Sequence, residues 1–108
     1  MGAGHLARAE AAIILVLPEP ESERYLTIDQ YDLGQATMCV LLAATDLGIG
    51  SGHSAVGDHE ACRRILGVPA DHTCAYMVAL GYPADRPLRP ILRPDRRPFD
   101  EVVHRGHW

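Results

Sequence analysis

Lysine is absent from this chain of 108 residues, and all ten of its cationic side chains are arginine. Six of those arginines fall between Arg86 and Arg105, while Glu19 to Asp32 is acidic, so the formal net charge of −4 hides a basic C-terminal end. Aromatic residues are scarce at 6%. The basic end therefore lacks the interleaved stacking side chains of a nucleic-acid surface, and nucleic acid is not expected as a partner. Cysteine occurs three times, as Cys39, Cys62 and Cys74, an odd number with no C-x-x-C spacing. That excludes a disulfide framework or a zinc ribbon and leaves reduced thiols packed as small hydrophobes. Each thiol sits in an apolar segment, where the thiolate is disfavoured, so none is a candidate nucleophile. The longest apolar run, Ala11 to Leu17, is far too short to cross a bilayer and lacks the basic flank and cleavage site of a signal peptide. Leu6 stands where myristoylation after Met1-Gly2 requires Ser or Thr. What remains is one small globular domain, expected in the cytoplasm and without membrane contact.

Several segments are well marked. "HLARAE" at 5 to 10 reads as a helical last turn or a short lead-in. "AAIILVL" at 11 to 17 reads as a strand buried on both faces, because it is continuously apolar, branched and stopped by Pro18 and Pro20. "PEPESER" then reads as a polar loop. The strongest helical signal spans Asp32 to Leu47, free of proline, rich in Ala, Leu and Met, and closed by Gly48. Its apolar residues are not confined to one stripe, and a helix apolar all round must be enclosed on all sides. A chain this short has little to enclose it with, so a second subunit or a further segment is expected.

Asp58 is placed to cap a helix over "HEACRRILG", with Glu60 in its first turn and Gly67 at its end. "TCAYMVALGY" at 73 to 82 reads as a second buried strand by length and branched or aromatic content, with Met77, Ala79 and Leu80 leaving a helix open. Pro83, Pro87, Pro90, Pro94 and Pro98 then impose an extended tail, relieved by a helical turn in "FDEVVH". Between the two helices, "DLGIGSGHSAVGD" carries four glycines in thirteen positions and reads as a loop of bare backbone, able to approach a flat ligand. It is not a dinucleotide fingerprint, since its glycines follow a helix and not a strand. His53, His59, His72, Cys62 and Cys74 contain metal-ligand types, and His59 and Cys62 share a helix face, but nothing fixes a fourth ligand and no metal site is expected. Arg93, Arg96 and Arg97 cluster on the proline-stiffened tail, where guanidinium forks match phosphate geometry.

The ordered set "YDLGQATMCVLLAATDLGIGSGHSAVGDHEACRRILGVP", "CAYMVALGYPADRP" and "RRPFDEVV" resembles the C-terminal half of the nitroreductase family of FMN-dependent NAD(P)H oxidoreductases. The resemblance implies an α+β fold in which a long central dimer-interface helix packs on a small β-sheet, followed by an extended Pro/Arg-rich C-terminal tail. It implies a single truncated domain over 1–108 and an intertwined homodimer with FMN at the interface. The loop matching His53, Ser54, Ala55 and Val56 would lie against the isoalloxazine ring and donate a backbone N–H near N5. Arg96, with Arg93 and Arg97 as basic neighbours, would reach the FMN phosphate. No side chain is implied as an acid, base or nucleophile.

Relatives carry an N-terminal half with an Arg-Ser-x-Arg phosphate anchor, which this chain lacks. Three readings stay open. One is an FMN oxidoreductase passing electrons from NAD(P)H to a nitroaromatic or quinone-like acceptor, or a truncated remnant of it with impaired activity. The second is a flavin-free dimerisation module. The third is a non-catalytic fragment whose site is completed by another chain.

Overall fold

The computed structural model describes residue 4 and residues 6–84, 88–89 and 92–108. Of the expected tail, Arg86, Pro87 and Pro90 lie outside the described residues, as does His5 of the lead-in. A 3₁₀ turn, Leu6–Arg8, precedes β1 (Ala11–Pro18), α1 (Glu23–Asp46), β2 (Gly50–Ala55), α2 (His59–Leu66), β3 (His72–Gly81) and the short α3 (Phe99–Val102). The three strands form one antiparallel sheet in the order β1-β3-β2. The long helix lies against β2 and β3, so the α+β architecture expected from the sequence is the one observed.

The central strand is β3, whose Cys74, Met77, Val78 and Ala79 are all buried. β1 is an edge strand, with Ala11, Ala12 and Ile13 open to solvent. This corrects its reading as a strand buried on both faces: an unbroken apolar run also suits an edge that a single chain leaves uncovered. On one face of the sheet, Val56, Cys74 and Met77 pack with Leu6, Ile14, Cys62 and Val68. The register slips between Leu15, which faces Tyr76, and Val16, which faces Cys74, leaving Ala75 as the extra residue of a bulge. His59 at the start of α2 reaches this bulge, its Nδ1 lying 2.7 Å from the Cys74 carbonyl. At the far end of α2, Arg63 donates to the Ala70 carbonyl and to Glu60 Oε2, each at 2.7 Å, fixing the turn into β3.

α2 has the caps its sequence announces: Asp58 Oδ1 accepts from the Ala61 N–H at 2.8 Å, and Gly67 closes the helix at φ +68°. α1 instead begins nine residues before the expected start. Ser22 caps it, with Oγ accepting from the Tyr25 N–H at 3.5 Å, and Glu23 occupies the first turn.

Leu33 and Ala44 of α1 are buried, and Leu26, Thr37, Val40 and Leu41 are half-buried, so one stripe meets the sheet. The opposite stripe is also apolar. Ile28, Tyr31, Met38 and Leu42 remain 43%, 72%, 54% and 62% exposed, and with Gln35 they repeat at the alternating three- and four-residue spacing of a paired-helix seam. The whole chain shows the same shortfall. Its accessible surface is 9046 Å², about half again the roughly 5,900 Å² of a compact monomer of this mass. Its radius of gyration is 16.9 Å, against about 13 Å for a compact domain of this length.

Candidate functional site at the open edge of β2

The stretch from Gly48 to Ala55 is built tightly on the end of α1. Gly48 turns the chain at φ +72°, a conformation a side chain resists, and its N–H bonds the Thr45 carbonyl at 3.0 Å. The Ile49 N–H returns to the Ala44 carbonyl at 2.8 Å, delivering the next residue straight into β2. A Cβ on Gly50 would stand 3.0 Å from the Gly81 carbonyl oxygen, so the close approach of β2 to β3 requires glycine there. The expected loop over residues 50 to 55 is therefore a strand, a correction with a physical cause. Small residues give a weak strand signal of their own, but β3 supplies the pairing.

Strand geometry then sorts the four residues expected to touch a ring. β2 pairs with β3 alone, with His53 opposite Val78 and Ala55 opposite Tyr76. The Val56 N–H bonds the Ala75 carbonyl at 3.3 Å, which fixes the alternation of the antiparallel ladder. By that alternation Ser54 and Gly52 spend their backbone groups on β3, whereas the N–H groups of Ser51, His53 and Ala55 point out of the open edge. Val56 is buried among Cys74 and Met77. Ser54 projects to the same side as Met77, and its Oγ is enclosed without a hydrogen-bond partner among the described residues. The side chains of His53 and Ala55 are exposed on the other face. Of the four, then, His53 and Ala55 are presented outward and Ser54 and Val56 hold the strand in place.

Two cavities meet at His53. One, of about 500 Å³, lies between α1 and the sheet and is lined by Gln30, Leu33, Thr37, Leu41, His53 and Tyr76 among others. The second, of about 510 Å³, sits where β2 begins and β3 ends, with Arg8, Gly50, Ser51, Gly52, His53 and Gly81 in its wall. Arg93, Arg96 and Arg97 line neither. All three are exposed on the tail, and Arg97 Nε pairs with Glu101 Oε2 at 3.3 Å. Within one chain the arginines and the β2 edge are not brought together.

The metal-ligand residue types serve other ends. His59 is committed to the Cys74 carbonyl, and His72 Nδ1 lies 2.8 Å from Asp71 Oδ1, a hydrogen bond that lowers the Asp71 carboxyl below its usual value. Burial, helped by the neighbouring Cys74 thiol and the Asp58 carboxylate, pushes the Cys62 thiol up and disfavours its thiolate. Among the described residues no three His, Cys, Asp or Glu side chains converge, and no helix is long and apolar enough to cross a membrane. Tyr76 and Arg8 were not singled out from the sequence. Only the pairing of Tyr76 with Ala55 across β3 and the 3₁₀ turn at Arg8 bring them to the edge.

Comparison with known proteins gives this geometry a context. The sequence pattern of the nitroreductase family matches residues 3–82, so the tail arginines fall beyond the matched region. A protein of Archaeoglobus fulgidus provisionally named NADH dehydrogenase/NAD(P)H nitroreductase is 33% identical over 111 aligned positions covering 97% of this chain. The chain spans only 62% of that relative's length. Among solved structures, a nitroreductase family protein from Clostridium difficile 630 superposes with a TM-score of 0.73 at 22% identity, over 95% of this chain and 63% of its own. A protein from Clostridium acetobutylicum provisionally named NADH oxidase also scores 0.73, at 18% identity, over 93% of this chain and 60% of its own.

Proposed function

The chain belongs to the nitroreductase family, and from that premise we propose that it is an FMN-dependent oxidoreductase taking electrons from NAD(P)H for a nitroaromatic or quinone-like acceptor, working as a homodimer. The observation that carries this reading is the open edge of β2, where among the described residues the Ala55 N–H is left unpaired beside a strand of mostly small residues. The name carried by the Archaeoglobus relative supports it. Bound FMN would supply the two-electron redox chemistry, which no side chain of this protein provides.

The protein's own part is positional. The Ala55 N–H would donate to the ring at N5, and the strand cannot recede because Val56 is buried at its end and Gly50 is pressed against Gly81. His53, on the same face as Ala55, would lie against the ring and close it from water on that side. Arg96 and Arg93 would meet the phosphate from the extended tail of a twin chain, since their own chain holds them away from β2. The exposed seam of α1 is the surface on which the twin would seat.

Titration of FMN into the purified protein, followed by flavin fluorescence, tests the reading. Saturable quenching at one flavin per chain is expected. An unchanged signal, with the protein still folded, would overturn it and leave the flavin-free dimerisation module, the reading that the separation of the arginines from β2 favours.

A further inference from the structure

The hollow between α1 and the sheet is walled by side chains and owes nothing to the outward amides of β2. α1 ends at Asp46 and turns straight into β2, against which it lies, so the helix runs back along the strand. From Gly50 to Ala55 the strand advances about 17 Å, a distance the helix retraces in about eleven residues. Gly34 and Thr37 therefore stand near the level of His53 and Ala55, and Tyr76 is the cross-strand partner of Ala55. Around a volume of about 500 Å³, Leu33, Met38 and Leu41 give the apolar wall, and Gln30, His53 and Tyr76 bring polar groups to it.

Two features mark this hollow as a place for a ligand. Thr37 spends its hydroxyl on the Leu33 carbonyl at 2.8 Å, but the side chains of Gln30, His53 and Tyr76 make no hydrogen bond among the described residues. Gly34 sits in the interior of α1, where glycine is among the least favourable residues. A Cβ there would meet nothing within 4 Å, so no neighbour in this chain requires the glycine, and its missing side chain leaves the hollow open. No carboxylate, lysine or arginine lines the space. A charged ligand would lose its water there with no such group to meet it.

We propose that this hollow binds an uncharged, flat, fused-ring compound bearing a carbonyl oxygen, its rings lying over Gly34 against Leu33 and Leu41 and its oxygen accepting from the Tyr76 hydroxyl. The volume and the mostly apolar wall with a few polar groups are those of a small-ligand pocket. The site uses no backbone N–H of β2 and does not rest on the flavin reading.

Amide NMR of the intact protein titrated with coumarin, without flavin, tests it. Saturable shifts are expected at Gly34, Thr37, His53 and Tyr76. Gly34→Leu puts a good helix former into α1 and fills the space. It should weaken coumarin about tenfold or more while the dispersed spectrum of the folded protein persists. Tyr76→Phe keeps the ring and removes the hydroxyl, and should weaken coumarin about fivefold, the worth of one neutral hydrogen bond. Coumarin-3-carboxylate, the same rings with a charge, should bind more weakly than coumarin. Unmoved amides, or an affinity unaltered in Gly34→Leu, would overturn the proposal. Equal affinity for the carboxylate would overturn the assignment of an uncharged ligand. No arm contains flavin, and the flavin reading is scored on fluorescence, so the two can fail separately.

Discussion

At the scale of single residues, the alternation along β2 divides four neighbours, His53 to Val56, into two jobs, and each job makes a prediction. Ala55 offers a backbone N–H to the open edge, so Ala55→Pro removes that donor while leaving the ladder to β3 intact, a position where proline is tolerated. FMN affinity is expected to fall about tenfold, the worth of one hydrogen bond in a sheltered site, with the circular dichroism spectrum unchanged. Ser54 does the opposite. Its Oγ is enclosed and has no partner among the described residues, so Ser54→Ala should stabilise the fold by about 1 kcal/mol and raise Tm by several degrees in a thermal melt. A lower Tm would mean that the hydroxyl has a partner. The sequence showed that "HSAV" is bare, and bareness is a property of composition. Which of the four face out is a property of register, set by the Val56 bond to Ala75 and invisible until β3 is in place.

At the scale of elements, α2 and β3 were legible because each carries its own signals: Asp58 and Gly67 bracket the helix, and Met77, Val78 and Ala79 form a run that β3 does bury. The first turns of α1 were not. "RYLTIDQY" contains Tyr, Thr and Ile, weak helix formers, and Pro18 and Pro20 stand just upstream, so local propensity places the start at Asp32. The Ser22 cap and the continuation into a helix of 24 residues override it. The longer helix adds Ile28 and Tyr31 to the exposed seam. If that seam pairs with its twin, Leu42→Glu at its C-terminal end would bury an unpaired carboxylate, at a cost of about 3–5 kcal/mol. Sedimentation should then shift from two chains to one. A variant that sediments like the parent would show that the seam faces solvent.

At the scale of the whole molecule, the chain exposes about half again the surface of a compact monomer of its mass. The excess, about 3,000 Å² per chain over a compact monomer, comes to about 6,000 Å² for two chains, at or above the upper end of what obligate interfaces bury. The all-round apolar character of α1 made this legible in the sequence, because burial on two opposite faces cannot be met by three short strands. The arginines were legible only as a basic cluster, since nothing in their spacing says where the tail places them. Native mass spectrometry of the protein with FMN tests whether pairing through α1 and flavin at the β2 edge go together. A particle of two chains carrying two FMN molecules is expected; a bare single chain under the same conditions would overturn the link.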